Sequence, residues 1–341
     1  AYIIAPGIGY IHLERFGATS GKEVHDAIAK LQGEGMEKLI FDLGVNGGGY
    51  LGAAVDVASE FLPGGSLVVY TQGRTGKDSQ LRASSNGLFR KGGLAILVDE
   101  YTASAAEIVS GAVQDHDRGI IVGRRTFGKG LVQRPVELPD GSMIRLTVSH
   151  YYTPSGRCIQ KPYVKGEKEK YNEDLNTRFT HGELMHLDSI HLDSTKVYTT
   201  LEKHRTVYGG GGIMPDIFVP LDTTSYTPYY RALSRNNLIT QAALRFTDSN
   251  RKPILRRYKS FDDYLSSYTI PTSLLDDIEK EAEKKGIKPK DEAERKEARE
   301  DMAFMLKALV AYNVWDRNEY FRIINQKNDI VKRALEELQK P

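Results

Sequence analysis

The residues of this chain that could do chemistry include a serine and a lysine 25 positions apart. Ser104 lies in residues 102–108 (TASAAEI), and Lys129 lies between two glycines in residues 126–130 (TFGKG). A serine hydroxyl becomes a nucleophile when a neighbouring base takes its proton, and a buried lysine can be that base. Gln133 could hold the amine by a hydrogen bond without adding a negative charge that would keep it protonated.

Ser104 follows an apolar run at residues 94–98. It lies at the start of a segment with helical periodicity, residues 103–114. A serine at a helix N-terminus lies among unpaired backbone N–H groups and at the positive end of the helix dipole. The N–H of Ala105 is then a candidate donor to an oxyanion. Serine is also a common N-cap residue, and this segment alone favours the cap over the nucleophile.

Residues 123–129 offer a competing interpretation, because they match most of a phosphate-binding loop that follows a strand. Gly130 stands where that loop requires Ser or Thr for magnesium, and residues 131–138 read as extended chain and not as the required helix. A nucleotide site is therefore disfavoured. Arg124 and Arg125 in this segment are interpreted as surface charges.

The first 150 residues alternate short apolar runs with amphipathic segments, which predicts an α/β layer structure around a largely buried sheet. Residues 131–152 read as a hairpin with its turn at 139–142. The predicted strands cover residues 9–13, 39–43, 67–71, 94–98 and 119–122, and the predicted helices cover residues 22–32, 51–61 and 103–114.

The remaining chain changes character twice. Residues 161–205 are polar without firm periodicity, which predicts a long irregular insertion. Charge-dense segments with helical apolar spacing follow at residues 276–285, 291–313 and 329–338. We therefore predict a core of residues 1–240 and a helical C-terminal region of residues 241–341.

Composition excludes several classes of protein. The chain has 341 residues, 40% of them hydrophobic and 27% charged, with a net charge of +2, which does not indicate a nucleic-acid-binding protein. The single cysteine, Cys158, excludes an internal disulfide framework and a cysteine-rich zinc site. No apolar run approaches the roughly 20 residues of a membrane span. We predict no cofactor, no metal and no integral membrane segment.

Residues 102–108 and 126–130 together resemble the signature of the C-terminal processing peptidases, also called tail-specific proteases. In that family a nucleophilic serine precedes the catalytic lysine by 25 positions and a supporting glutamine by 29. Ser104, Lys129 and Gln133 keep both spacings. The resemblance covers roughly residues 9–220 and includes residues 151–156 and 212–216. Asp115 matches an acidic position of some members and is a candidate supporting residue.

The resemblance implies a crotonase-like α/β peptidase core. It also implies a role for residues 42–49 (DLGVNGGG), where Gly48 would supply a backbone oxyanion donor beside Ala105. The chain departs from the family at Gly44 and Val45, where Arg-Gly is usual. A PDZ domain usually precedes the strand at residues 9–13, and nothing PDZ-like is present, so we expect the native protein to be longer.

The implied function is a serine endopeptidase that cuts protein chains near their C-termini through an acyl-enzyme. Its expected partners are protein or peptide substrates with exposed C-termini, and an adaptor protein is a further candidate. The expected location is the bacterial periplasm or cell envelope, or the thylakoid lumen. Two alternatives stay open: a catalytically silent protein-binding member of the same fold, and a crotonase-type acyl-CoA enzyme.

Overall fold

A computed structural model of the chain describes residues 1–73, 79–164 and 166–340. Lys165 of the predicted insertion and Pro341 of the predicted helical region lie outside the described residues. The chain divides into two compact units, Ala1–Leu221 with Arg333–Pro341, and Asp222–Lys332. The boundary predicted at residue 240 falls inside a continuous helix, Leu238–Arg257, because the helical region begins earlier than its charge-dense segments.

The strands and helices of the first unit follow the alternation that the sequence predicts. The strands are β1 (Tyr2–Ala5), β2 (Ile8–His12), β3 (Lys38–Asp42), β4 (Leu67–Gly73), β5 (Ser79–Arg82), β6 (Leu94–Val98), β7 (Ile120–Gly123), β8 (Leu131–Glu137), β9 (Met143–Tyr152), β10 (Val197–Thr199), β11 (Thr206–Tyr208) and β12 (Ile217–Phe218). The helices are α1 (Ser20–Gly33), α2 (Leu51–Ser59), α3 (Ala105–Asp115) and α4 (Lys168–Thr180).

A mainly parallel sheet forms the centre of this unit. Among the described residues its strand order is β1-β2-β3-β6-β7-β12, with β1 antiparallel at one edge. Strands β3 and β6 are nearly continuous apolar runs because helices cover both faces of such sheets. Their side chains join those of α1, α2 and α3 in one buried core.

This parallel arrangement brings together the loops that carry the predicted chemistry. Strands β3, β6 and β7 are neighbours and run in the same direction. Parallel neighbours have their carboxyl ends at one edge of the sheet, which is where α/β folds place their sites. The loops after these strands contain Gly48, Ser104 and Lys129, respectively.

A second, antiparallel sheet has the strand order β5-β4-β9-β8 within the described ranges. The predicted hairpin is confirmed, with β8 and β9 joined by the turn at residues 138–142. Strand β8 begins two residues after Lys129. The second sheet therefore continues directly from the loop that carries this lysine.

The insertion has more structure than its sequence predicts. It contains α4, a short 3-10 helix at Leu187–Ser189 and the strand pair β10–β11. Along α4, whose residues are all described, Arg178 is the one buried residue. The helix therefore has no apolar stripe that periodicity could reveal.

The second unit is helical, and the predicted mixed α/β core with a helical C-terminal region is confirmed. Its buried cluster includes Leu233, Ala243, Ile278, Met302 and Leu306. In the described part of the chain, no helix combines the length and apolar character needed to cross a membrane. The helices are α5 (Pro228–Arg235), α6 (Leu238–Arg257), α7 (Phe261–Ser267), α8 (Thr272–Lys284), α9 (Glu292–Val314) and α10 (Arg317–Ile324), and α11 (Asp329–Gln339) begins in this unit.

Candidate active site

Ser104 is the N-cap residue of α3 and has an unusual backbone conformation. Its φ is 59° and its ψ is −116°, outside the regions that L-residues ordinarily adopt. Such strain costs about 1–3 kcal/mol, persists only where the surroundings impose it, and clusters at functional sites. The chain turns sharply between β6 and α3, and the half-buried Ser104 lies in this turn at the edge of the sheet. The capping position predicted from the sequence and the candidate nucleophile are therefore the same place.

A buried carboxylate ties the serine to the lysine loop, residues 124–130. Glu107 Oε2 accepts hydrogen bonds from the backbone N–H groups of Ser104 and Lys129, at 2.8 and 2.9 Å. Glu107 Oε1 accepts from the Gly128 N–H at 2.7 Å and from the Thr126 hydroxyl at 2.5 Å. Complete burial raises the pKa of the Glu107 carboxyl above its ordinary value, while these four donors act to lower it.

The Tyr151 hydroxyl makes a second connection between the same two residues. This fully buried side chain lies at the end of β9, and its Oη donates to the carbonyl oxygen of Ser104 at 3.0 Å and to that of Lys129 at 2.5 Å. Burial raises its pKa well above 10, so the hydroxyl keeps its proton and acts as a donor. Backbone groups of Ser104 and Lys129 are thus held from both sides, through their N–H groups and through their carbonyls.

The side chains of Lys129 and Gln133 line a cavity of about 800 Å³ beside this network. Lys129 is half-buried and Gln133 is exposed on β8, where the ladder with β9 is irregular between Val132 and Gln133. Within the described residues, no hydrogen bond joins Lys129 Nζ to Ser104 Oγ. The two residues are connected through their backbones, by Glu107 and Tyr151.

Gly48 packs directly against the serine turn. A Cβ at this position, where φ is +94°, would lie 2.7 Å from Ser104 Cβ and 2.8 Å from the Ala105 nitrogen. Only glycine therefore leaves the space in front of the Ala105 N–H open. The Gly48 N–H, predicted as an oxyanion donor, donates in this structure to Asn46 Oδ1 at 2.8 Å.

The glycine-rich turn is fixed to the serine segment by buried polar groups. Asn46 O accepts the N–H of Ala103 at 2.9 Å, and Asp99 Oδ2 accepts the N–H of Val45 at 2.9 Å. Val45 has a φ of 59°, a strained conformation for a β-branched residue, and it stands at the family departure noted above. Burial raises the pKa of Asp99, whose carboxyl also accepts the backbone N–H groups of Tyr101 and Thr102.

Asp115 is not brought to Ser104. It is the last residue of α3, about 16 Å along the helix axis from Ser104 at 1.5 Å per residue. Its carboxylate pairs with the fully buried Arg157 at 2.7 Å and accepts the Ser155 N–H at 2.9 Å. It organises the turn after β9, and this structure gives it no contact with the nucleophile.

Sequence reasoning missed Glu107 and Tyr151, although both lie in segments that carry the family resemblance. The signal for Glu107 was present, because Ser104 and Glu107 have the Ser-x-x-Glu spacing of a capping box. No local pattern identifies Tyr151, since its contacts depend on how β9 packs against α3.

One detail of the lysine loop contradicts the sequence-based interpretation, and another agrees with it. The interpretation of Arg124 and Arg125 as surface charges is wrong, since they pair with Glu100 and Glu183 in largely buried ion pairs. The loop leads into β8, so the helix of a phosphate-binding loop is missing.

Within residues 1–73, 79–164 and 166–340, no group of three or more His, Cys, Asp or Glu side chains could hold a metal ion.

Comparison with known proteins gives two family matches on this chain. Residues 7–168 match the family model of peptidase family S41, and residues 229–316 match a family of unknown function, DUF8443. The first match contains the loops of Gly48, Ser104 and Lys129.

Similar proteins carry processing-protease names. A carboxyl-terminal-processing protease of Synechocystis is 43% identical over 154 residues, 45% of this chain and 36% of that protein. A chloroplastic C-terminal processing peptidase of Tetradesmus obliquus is 38% identical over 170 residues, 50% of this chain and 36% of that protein. The chain thus spans about a third of the length of these relatives. Among solved structures, a photosystem II D1 C-terminal processing protease matches with a TM-score of 0.45 at 28% identity, covering 64% of this chain and 45% of that one.

Proposed function

We propose that this chain, whose residues 7–168 match the model of peptidase family S41, is a serine endopeptidase that uses Ser104 as nucleophile and Lys129 as general base. The observation that carries the proposal is the Glu107 carboxylate, which binds the backbone N–H groups of both residues. Among the described residues, the hydrogen-bond donors to this buried carboxylate come from the serine turn and the lysine loop, as expected where the relative position of the two matters.

The reaction follows from these groups. Neutral Lys129 takes the proton of the Ser104 hydroxyl, whose oxygen attacks the scissile carbonyl carbon and forms a tetrahedral oxyanion. Collapse of that intermediate breaks the C–N bond, and the amine leaves with the proton that Lys129 returns. Water, deprotonated by the same lysine, then hydrolyses the ester and regenerates Ser104.

The oxyanion is stabilised by the Ala105 N–H, which lies at the helix N-terminus behind the open face of Gly48. Gly48 is the proposed second donor. Its N–H must leave Asn46 Oδ1 to take part, so substrate binding is accompanied by a local rotation of this peptide group. Gln133 is proposed to hold the Lys129 amine, since both side chains line the same cavity.

The proposed substrates are protein or peptide chains with exposed C-termini, cut near those ends, in keeping with the names of the relatives. The cavity beside Lys129 has room for substrate side chains. We propose the bacterial periplasm or cell envelope as the location and an adaptor protein as a further partner.

The test is cleavage of an unfolded protein with a defined apolar C-terminus. Ser104→Ala and Lys129→Ala are expected to lower kcat/KM by roughly 10⁴-fold, because each removes a group that forms or breaks bonds. Lys22→Ala is the control for the loss of a lysine and should cleave like wild type, since Lys22 is exposed on α1 and pairs with Asp26. Cleavage that survives both active-site substitutions would sink the mechanism.

The hydrogen bond from the Gly48 N–H to Asn46 Oδ1 favours a second candidate function, that of a catalytically silent protein-binding member of the fold. A fluorophosphonate probe separates the two. An active peptidase is labelled at Ser104 and loses the label in Ser104→Ala, whereas a silent member is not labelled.

A further inference from the structure

Lys161 is a buried lysine that no step of the proposed reaction uses. Its side chain is 3% exposed, and its ammonium donates to the carbonyl of Tyr171 at 2.9 Å and to Asp174 at 3.1 Å. The ammonium also lies 4.0 Å from the ring centre of Phe127 and 4.2 Å from that of Tyr171. Phe127 belongs to the lysine loop, whereas Tyr171 and Asp174 belong to α4 of the insertion. Lys161 thus joins the two.

The backbone of Lys161 and the side chain of Gln160 hold the two glycines that flank Lys129. The Lys161 N–H donates to the Gly128 carbonyl at 2.9 Å, and the Gly130 N–H donates to Gln160 Oε1 at 2.9 Å. A Cβ at Gly130 would lie 2.8 Å from the Gln160 nitrogen, so this close approach requires glycine. The conformation of the lysine loop therefore depends on where residues 160 and 161 are held.

The other end of α4 holds the start of the same loop. Arg178 donates to the carbonyls of Arg125 at 2.6 Å and Thr126 at 3.0 Å. Its remaining partner is Glu183, which also binds Arg125. Two buried cations, Lys161 and Arg178, thus connect the insertion to backbone or ring groups along residues 125–128.

We infer that Lys161 is a positioning residue, which together with α4 clamps the lysine loop in the conformation that presents Lys129 to Ser104. This inference rests on the proposed function for its effect on activity, but the clamp itself is a property of the structure. The Lys161 ammonium is committed to α4 and is not a second base. Loss of the clamp should lower kcat more than it changes KM, because a displacement of about 1 Å in a catalytic group can cost about 10²-fold in rate.

The test uses the full chain with Lys161→Met, Lys161→Arg and, as the control, Lys307→Met, which removes a half-buried lysine that donates to the Leu265 carbonyl at 2.7 Å and lies over the Tyr264 ring. Hydrogen–deuterium exchange of the amides of residues 126–130 reports the loop without requiring activity, and peptide cleavage reports kcat and KM. Lys161→Met should speed exchange in this segment and lower kcat by about 10- to 100-fold at nearly constant KM. Lys161→Arg should restore both, since guanidinium keeps the charge and the ring contacts. Lys307→Met should leave the exchange of residues 126–130 and both kinetic constants as in wild type.

The outcomes separate the clamp from the proposed function. If wild type neither cleaves peptide nor reacts with fluorophosphonate, the proposed function fails, and the exchange data still decide whether the clamp exists. Unchanged exchange in Lys161→Met, or equal changes in Lys161→Met and Lys307→Met, would overturn the clamp. Should Lys161→Met not fold, Asp174→Asn at a partly exposed site should show a smaller change in the same direction, and an unchanged loop there would also overturn the clamp.

Discussion

The two ends of helix α3 each carry a fully buried carboxylate, and the two are partnered in opposite ways. Glu107, in the first turn, accepts four hydrogen bonds from neutral donors. In the described part of the chain it forms no ion pair. Asp115, in the last turn, is paired with the equally buried Arg157. One carboxylate is held by loops without regular structure, and the other by a cation.

The difference indicates what each end of the helix does. The ion pair with Arg157 neutralises the charge of Asp115. The contacts of Asp115 join the end of α3 to the turn after β9 and so stabilise the folded unit. Glu107 instead fixes the backbones of the serine turn and the lysine loop, at the helix end whose dipole favours negative charge. A buried carboxylate with neutral partners is costly to keep. We therefore expect Asp115 to matter for stability and Glu107 for catalysis.

The largest expected effect is the loss of stability in Asp115→Asn. Asparagine leaves the buried Arg157 charge without its counter-ion, and breaking such a pair costs about 3–5 kcal/mol of the free energy of unfolding. Urea unfolding measures it, with Asp193→Asn, which removes an exposed partner of Lys196, as the control with little change. Activity per folded molecule should stay near wild type, and a specific loss of kcat in fully folded Asp115→Asn would contradict this assignment.

Glu107→Gln should act mainly on turnover. The amide group must point its own N–H₂ at donors, so contacts to Ser104 or the lysine loop are lost. We expect kcat to fall by about 10²-fold, or about 2.7 kcal/mol, with KM changed far less. Asp115→Asn on the same helix is the matched control for loss of a buried carboxylate. Equal kcat values for folded Glu107→Gln and wild type would show that Glu107 does not position Ser104 and Lys129 for catalysis.

Much of the fold around the site could be predicted because it follows from local patterns in the sequence. The strands around the site have continuous apolar runs, and the helices keep apolar stripes, so element types and the α/β class follow from periodicity. Ser104, Lys129 and Gln133 are candidates because their residue types suit the chemistry and because their spacings resemble those of the C-terminal processing peptidases. The Ser-x-x-Glu spacing could also have revealed Glu107 as the partner of the Ser104 backbone.

The remaining features depend on contacts between distant segments. Helix α4 was missed because it is held through Arg178 and Lys161, and cationic anchors leave no apolar periodicity. Tyr151 reaches the site through the packing of β9, which no local spacing encodes. The engagement of the Gly48 N–H depends on the buried Asn46 side chain, whose amide is held by the distant Leu13 carbonyl. Such features are set by tertiary structure.

Tyr151→Phe tests the second connection between the serine and the lysine. The change removes the hydroxyl that donates to both carbonyls and keeps the ring in the core. Leaving buried acceptors unsatisfied costs about 1–3 kcal/mol, so we expect kcat to fall by about tenfold with a similar loss of stability. Tyr70→Phe, which alters a ring stacked on Tyr152, is the control. If both variants turn over alike, Tyr151 does not help to position the pair.

The smallest effect is the pH dependence that Glu107 gives to stability. Burial raises the pKa of Glu107 in the folded chain above the ordinary 4.5. At a pH between 4.5 and this raised pKa, the folded state therefore binds a proton that the unfolded state has lost. The contribution of Glu107 to the free energy of unfolding is therefore full below about pH 4.5 and decreases as the pH rises through the raised pKa. Urea unfolding of wild type and Glu107→Gln from pH 4 to 7 isolates it, because other titrating groups cancel in the difference. The stability advantage of wild type should shrink as the pH rises. An advantage that grows would mean that the four donors outweigh burial and hold Glu107 as an anion.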